Sequence, residues 1–128
     1  MAVQLNHHIV LASDPEASAR FLAEILGLDP PVPYGPFMAV ETANGVGLDY
    51  MRTDGDIVPS HYAFLVSEDE FDEIFGRIRE RGLEIFADPH AQQAGEINHH
   101  DGGRGVYWAD PDGHWLEIIT RPYGSGNV

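Results

Sequence analysis

The sequence predicts an α+β fold made of two tandem copies of one strand–helix–hairpin unit. Three observations support this prediction. The extended run NHHIVLASD at residues 6–14 has a counterpart, SHYAFLVSE, at residues 60–68. The hairpin segment NGVGLDY at 44–50 has a counterpart, DGHWLEI, at 112–118. In both extended runs a histidine precedes, by seven positions, the acidic residue that marks a helix start.

Composition restricts the class of protein. A chain of 128 residues with 43% hydrophobic content predicts one compact domain, residues 1–128, with modules at about 1–53 and 59–122. The absence of cysteine excludes disulfides, thiolate metal sites and a cysteine nucleophile. The N-terminus does not resemble a signal peptide, and no apolar run approaches the roughly 20 residues that span a bilayer. We therefore expect a cytoplasmic protein.

The formal net charge of −14, from 21 acidic and 7 basic residues, indicates which partners the surface disfavours. Nucleic-acid phosphates and anionic membranes would be repelled, so we expect neither as a partner. A cationic ligand is compatible with this charge, but an acidic excess also simply keeps a protein soluble. We expect the main partner to be a small-molecule substrate.

The first module has one helix between extended segments. In order along the chain we predict a strand at 3–12, a helix at 14–26, a loop at 29–36, and strands at 37–42 and 46–52. Apolar residues recur near helical spacing in the helix, and Gly27 follows where a helix would end. The segment 29–36 is rich in proline, which fixes φ and lacks an N–H, so we expect it to be irregular.

The second module repeats this plan after a polar connector at 53–60. We predict a strand at 61–67, a helix at 69–81, a short strand at 83–86, a loop at 88–104, and strands at 105–109 and 114–120. Loops as long as 88–104 inside a compact domain tend to bind ligands or cover sites. The tail RPYGSGNV, residues 121–128, is interpreted as a frayed end.

Four polar residues occupy matching places in the two copies: His7 and His61 on the first strands, and Asp49 and Glu117 on the last strands. Side chains alternate along a strand, so His7 and His8 lie on opposite faces. Because His7 is in phase with apolar residues, we expect His7, and not His8, to be the ligand. Two imidazoles and one or two carboxylates on inward strand positions form a nitrogen and oxygen site for a divalent metal.

Each of these four residues also has a purely structural interpretation. A lone histidine on an apolar strand is more often a core residue than a ligand. An unpaired carboxylate at Glu117 is costly among apolar neighbours, and a salt bridge to Arg104 or Arg121 would also compensate it. Three roles stay open for Asp49, which is a methylene shorter than glutamate: metal ligand, partner of a metal-bound water, or partner of a neighbouring residue.

A second group of polar residues leads into the strand expected to pair with the Glu117 strand. Tyr107, His100 and Arg104 are candidates for general acid/base chemistry or for binding an oxyanion. Three further histidines are interpreted as solvated loop residues: His90, His99 and His114.

The chain resembles the vicinal oxygen chelate superfamily over nearly its whole length. This superfamily contains glyoxalase I, extradiol dioxygenases, fosfomycin-modifying thiol transferases and bleomycin-resistance proteins. The resemblance is carried by NHHIVLASD with FLAEILGL, by SHYAFLVS and by YWADPDGHWLEI. It implies paired βαβββ modules whose curved mixed sheets enclose a metal ion.

By this resemblance His7, His61 and Glu117 form the metal triad, and Tyr107 lies where several members have a pocket tyrosine. The resemblance also implies a homodimer in which each subunit contributes a module to a site. The implied cofactor is a divalent metal ion, namely iron, manganese, nickel or zinc, that stabilises a developing charge on a bidentate oxygen ligand.

The branches of the superfamily make different demands. A glyoxalase I would use a fourth ligand in module one, where this chain has Asp49 in place of Glu or Gln. An extradiol dioxygenase uses a two-histidine, one-carboxylate iron site with nearby His and Tyr, which His100 and Tyr107 would supply. A fosfomycin-type transferase needs a Lys, Ser and Arg cluster, of which residues 90–109 offer only Arg104.

We therefore expect a metal-dependent enzyme acting on a small oxygen-chelating substrate, with dioxygenase-like or glyoxalase-like lyase or isomerase chemistry. The alternative is a non-catalytic drug-sequestering dimer of the bleomycin-resistance type. Its acidic, metal-free groove suits the net charge of −14 but leaves the intact triad unexplained.

Overall fold

Two compact units make up the chain in the computed structural model, which describes residues 2–126; the first ends at Val58 and the second begins at Pro59. Unit 1 contains β1 (His7–Ala12), α1 (Pro15–Leu26), β2 (Val32–Tyr34), β3 (Phe37–Glu41) and β4 (Gly47–Arg52). Its sheet has the order β1-β4-β3-β2, with β1 parallel to β4 and the other pairs antiparallel. The sheet is therefore mixed, as expected.

Helix α1 begins and ends at residues that the sequence marks. The Asp14 side chain accepts a hydrogen bond from the backbone N–H of Ala17, and Pro15 occupies the first helical turn. Gly27 ends the helix in the left-handed conformation at φ 71°. The apolar face of α1 packs against one face of the sheet and forms the core of unit 1, together with Val10, Ala12, Val40, Leu48 and Tyr50.

Unit 2 contains β5 (His61–Leu65), α2 (Glu68–Glu80), a 3-10 turn (His100–Gly102), β6 (Gly105–Ala109) and β7 (Trp115–Ile119). Its sheet has the order β5-β7-β6, with β5 parallel to β7 and β6 antiparallel to β7. Ser67 and Glu70 form a reciprocal capping box at the start of α2. The core of this unit comprises Phe71, Ile74, Ile78, Val106, Trp108, Leu116 and Ile118.

The strand registers of the two units match, which supports the internal repeat. In unit 1, His7 pairs with Gly47, and Asp49 lies between Ile9 on one side and Ala39 on the other. In unit 2, His61 pairs with Trp115, and Glu117 lies between Ala63 and Tyr107. Each histidine therefore shares a sheet face with the carboxylate of its own unit.

Three predictions about the positions of strands are wrong. The segment 29–36 contains the short strand β2, because Pro33 lies on a sheet edge where no ladder N–H is needed. Residues 83–86 form no strand, since only Phe86 pairs, through single bridges to Ala94 and Tyr107. The first strand begins at His7 and not at residue 3.

The tail is also different from the prediction over its described part. The Asp101 carboxylate accepts hydrogen bonds from the N–H groups of Gly124 and Gly126, each at 3.1 Å. Residues 121–126 are therefore held in place, and residues 127 and 128 of the predicted tail lie outside the described part of the chain. No helix within residues 2–126 combines the length and the apolar composition needed to cross a membrane.

Candidate metal centre

Glu117 is the buried centre of the candidate site in unit 2. It lies in the middle of β7 with no exposed surface, and the core residues Leu116 and Ile118 flank it in the sequence. Its Oε1 atom lies 2.9 Å from Nε2 of His61, and its Oε2 atom accepts a hydrogen bond from the Tyr123 hydroxyl. Both carboxylate oxygens thus have polar partners, as burial of the group demands.

Both ring nitrogens of His61 have a polar neighbour. Its Nδ1 atom lies 3.1 Å from the backbone carbonyl oxygen of Trp115, which can only accept, so the proton of a neutral ring is on Nδ1. Nε2 then directs a lone pair toward Glu117, whose Oε1 also carries lone pairs. Two lone pairs at 2.9 Å require a cation between them, either a proton or a metal ion.

Tyr107 and Tyr123 complete the polar surroundings of Glu117. The two hydroxyl oxygens lie 3.0 Å apart, and the Tyr107 ring stacks on the rings of His61 and Trp115 at centroid distances of 5.7 and 6.0 Å. Burial raises the pKa of Tyr107 and of Tyr123, and the Glu117 carboxylate raises both further. Both tyrosines therefore keep their protons at neutral pH.

In unit 1, His7 and Asp49 share the open face of the sheet. The Nδ1 atom of His7 lies 2.7 Å from Oδ1 of Asn6, so a neutral ring donates from Nδ1 and keeps Nε2 as an acceptor, as in His61. Gly47 lies between the two side chains: a Cβ added there would be 3.4 Å from Cβ of His7 and 3.5 Å from Oδ1 of Asp49.

A groove with a volume of about 950 Å³ opens on this face of unit 1. Its walls include Leu28, Asp29, Phe37, Ala39, Glu41 and Gly47, besides His7 and Asp49. The groove is thus part apolar and part acidic, and it is large enough for a small organic molecule.

The other predicted site residues lie at two different places in unit 2. The His100 ring packs edge-on to Tyr123 at a centroid distance of 6.1 Å, which puts it beside the Glu117 network. The Arg104 guanidinium instead bonds to Glu68 and Asp72 of α2, each at 2.8 Å, and covers the Phe71 ring. These contacts attach Arg104 to the N-terminal part of α2.

Two residues of unit 2 differ from what the sequence predicts. His114 is buried, and its Nδ1 accepts the backbone N–H of Ser60 at 2.9 Å, so it is not a solvated loop residue. The structure places Tyr123 at the site, but the sequence does not predict it. Its segment is rich in Gly, Ser and Pro and shows no hydrophobic periodicity. Asp101, which holds this segment, lies more than 20 residues earlier in the sequence, and no local pattern links the two.

The donor atoms present fit a divalent metal. In its neutral form each of the two histidines would donate from Nδ1 and have a lone pair on Nε2, the usual state of a metal-binding imidazole, and Glu117 supplies an oxygen facing Nε2 of His61. Ligand atoms that share one ion at about 2.1 Å each lie roughly 3 to 3.5 Å from one another, which the Nε2–Oε1 distance approaches. Within residues 2–126, no three such side chains gather around one point in the single chain.

The sequence profile of the Glyoxalase/Bleomycin resistance protein/Dioxygenase superfamily matches residues 4–118. The chain belongs to this superfamily. The match spans both units, so it confirms the family and the tandem fold identified from the sequence.

Within the superfamily, the chain is similar to two solved structures of oxidases and to a curated thiol transferase. Oxidase ChaP-H2 is 66% identical, with a TM-score of 0.97, over 99% of this chain and 100% of that one. Oxidase ChaP-H1 is 67% identical, with a TM-score of 0.94, over 96% and 99%. Metallothiol transferase FosB of Lysinibacillus sphaericus (strain C3-41) is 32% identical over 127 residues, 94% of this chain and 84% of that protein.

Proposed function

We propose that this chain is a divalent-metal-dependent enzyme that oxidises a small oxygen-chelating molecule. In this proposal His7, His61 and Glu117 hold the metal ion, and Asp49 lies beside it as a further ligand or as the partner of a bound water. Two histidines and one carboxylate are the donor set typical of non-haem iron enzymes, so iron is the first metal to test, followed by manganese, nickel and zinc.

The observation that carries this proposal is the contact between His61 and Glu117. A buried carboxylate lies 2.9 Å from Nε2 of His61, and a neutral ring that donates from Nδ1 to the Trp115 carbonyl has its lone pair on this Nε2. A bound metal ion would act as a Lewis acid for a chelating substrate and, if redox-active, as a centre for oxidation. The chain itself supplies orientation: Tyr107 stacks on His61, and the Tyr107 hydroxyl is a protonated group near the carboxylate.

Similarity to the oxidases favours oxidation over the other chemistries of the superfamily. The two oxidases are about twice as similar to this chain as the thiol transferase, at 66–67% against 32% identity. The chain contains no lysine. Since Arg104 is paired with Glu68 and Asp72, the candidate cation for a phosphonate is engaged elsewhere. A lyase or isomerase reaction stays the second possibility within the proposal, and it would require Asp49 to act as the fourth ligand.

We further propose that the active form is a homodimer in which His7 of one chain meets His61 and Glu117 of the other. The family resemblance implies such sharing, and a histidine of each half can be reached from solvent, since the His61 side chain is 46% exposed and His7 is exposed. Apolar residues on the same faces are also exposed, with Ile9 at 43% and Leu65 at 62%. These residues would be covered by a second copy.

Elemental analysis of protein purified without chelator or affinity tag tests the metal site. We expect about one metal ion per chain in the wild type and a loss of that metal in His61→Ala. An oxygen electrode then follows oxygen uptake with catechols and related chelating phenols. A wild-type chain that stays metal-free after anaerobic reconstitution with iron(II) and manganese(II) would overturn the proposal.

The acidic groove of unit 1 favours one alternative, a non-catalytic dimer that sequesters a cationic drug. Asp29, Glu41 and Asp49 all line this groove. In that case His7→Ala and His61→Ala would leave the affinity for bleomycin unchanged, and adding metal would not alter it. Isothermal titration with and without metal separates the two functions.

A further inference from the structure

The C-terminal segment, residues 121–126, brings a hydroxyl group to the buried carboxylate. The Tyr123 hydroxyl donates to Oε2 of Glu117, whereas Oε1 faces Nε2 of His61 at 2.9 Å. The two oxygens thus have different partners. The tyrosine fixes the rotation of the carboxylate without occupying the oxygen that faces the histidine.

This segment is attached by contacts that do not involve Glu117. The Asp101 carboxylate accepts from the N–H groups of Gly124 and Gly126, and the Ser125 hydroxyl donates to the carbonyl of Pro122 at 2.6 Å. Asp101 itself has φ 57°, a left-handed conformation that aspartate tolerates better than most residues. A side chain at Gly126 would clash with the backbone of Asp101, so the segment fits closely against it.

The hydrogen bonds around Tyr123 run in one direction. Because Tyr123 uses its only proton for Glu117, the Tyr107 hydroxyl, 3.0 Å away, donates to the Tyr123 oxygen. The order is therefore Tyr107 to Tyr123 to Glu117. The Tyr107 ring in turn stacks on His61. The contacts that begin at Glu117 therefore lead through Tyr123 and Tyr107 to His61, the other residue that faces Glu117.

We propose that Tyr123, held in place by Asp101, is a positioning residue of the metal site that orients Glu117 so that one carboxylate oxygen stays directed at the ion. This inference rests on the proposed metal-dependent function. Hydrogen bonds to a ligating carboxylate typically account for a ten- to hundredfold difference in metal affinity. This proposal gives the C-terminal segment, residues 121–126, a function that no motif in its sequence indicates.

The test is a titration of the metal-free protein with zinc(II) against a chromogenic chelator. Tyr123→Phe keeps the ring and removes the hydroxyl, and we expect zinc binding to weaken about ten- to hundredfold. Tyr62→Phe, which removes a hydroxyl from the face of β5 opposite His61, is the matched control and should bind zinc as the wild type does. Circular dichroism confirms that each variant is folded.

Asp101→Ala provides a second variant that acts through the same hydroxyl without touching Glu117. We expect it to weaken zinc binding in the same direction, and the double variant Asp101→Ala/Tyr123→Phe to be no weaker than the worse single variant. If the wild type binds zinc and Tyr123→Phe binds it equally well, the inference is overturned while the metal site stands. If the wild type binds no zinc, iron or manganese, the metal site is overturned and the inference with it.

Discussion

The two units have the same strand register but carry different side chains around it. Gly47 in unit 1 corresponds to Trp115 in unit 2, since each pairs with the histidine of its unit. Ala39 likewise corresponds to Tyr107, since each pairs with the carboxylate residue. Small residues leave a groove in unit 1, whereas large aromatic residues fill the same positions in unit 2.

This difference gives the two carboxylates different surroundings. Trp115 and Tyr107 share the sheet face of Glu117, whose carboxylate is buried at a cost in desolvation and held by Tyr123 and His61. Asp49 sits beside Gly47 at the edge of an open groove, where a ligand has room. In the proposed site, unit 2 would supply His61 and the buried carboxylate ligand, and unit 1 would supply His7 and the groove that admits the substrate.

The largest expected effect is on metal binding, and it should be unequal between the two carboxylates. Glu117→Gln should weaken zinc binding by more than a hundredfold, because it removes a buried charge that faces His61. Asp49→Asn should weaken it by about tenfold or less. The same competition titration measures both variants. Equal losses would contradict the assignment of the rigid ligand set to unit 2.

Filling the groove should affect ligand binding without affecting metal. Ala39→Tyr copies the residue that unit 2 has at the matching position, so the strand should tolerate it. We expect the affinity of the metal-loaded protein for nitrocatechol, followed by absorbance, to fall by at least an order of magnitude, with metal content unchanged. Val3→Tyr, at a fully exposed position, is the control. Unchanged nitrocatechol affinity in Ala39→Tyr would show that the groove is not where the ligand binds.

Replacing a strand glycine with alanine should lower the free energy of unfolding at Gly105 in unit 2 much more than at Gly47 in unit 1. A Cβ at Gly105 would lie 2.7 Å from Oδ1 of Asn98, so Gly105→Ala should lower the free energy of unfolding by about 1 to 3 kcal/mol. A Cβ at Gly47 meets nothing closer than 3.4 Å, and Gly47→Ala should change it by about 0.5 kcal/mol or less. Urea denaturation compares the two. A larger loss in Gly47→Ala would contradict the difference in packing.

The smallest expected effect concerns Arg104. Arg104→Gln removes the contacts to Glu68, Asp72 and Phe71, and we expect the melting temperature to fall by about 2–4 °C while zinc affinity stays unchanged. A large loss of zinc affinity or of oxygen uptake, with the fold intact, would restore the catalytic role that the sequence suggests.

The effect of Arg104 on stability should also depend on pH. The hydrogen bond with Thr120 and that with Arg104 lower the pKa of Glu68 in the folded protein. A lowered folded-state pKa stabilises the fold above the unfolded value of about 4.3 and ceases to do so as the pH falls through the folded value. The difference between wild type and Arg104→Gln should therefore be present at pH 7 and shrink below about pH 4. A difference that is constant down to pH 3 would contradict this origin.

The backbone plan of this chain is predictable because its signals are local. Helix caps at Asp14 and Ser67, and the turns before β4 and β7, lie next to the elements they delimit. Strand alternation then places His7 and His61 on the same faces as Asp49 and Glu117, respectively, as the registers show. These predictions use only the alternation of side chains along a strand and the internal repeat of the sequence.

The features that are not predictable depend on contacts between distant residues. Pro33 enters a strand only because that strand is an edge, and a sheet order cannot be read from one segment. Tyr123 reaches Glu117 only because Asp101 holds the tail, through a turn in an irregular loop. Arg104 is engaged by Glu68 and Asp72, which lie more than 30 residues away at the start of α2.

The central proposal is that His7 of one copy and the His61–Glu117 pair of a second copy hold one metal ion, and mixing two inactive variants tests it most directly. His7→Ala and His61→Ala are each prepared metal-free, mixed in equal amounts, dissociated in mild denaturant, reassociated, and loaded with metal. In a shared site, random pairing restores one intact site in each mixed dimer, so about a quarter of the sites should regain metal. A mixture that binds no more metal than the separate variants would contradict the claim.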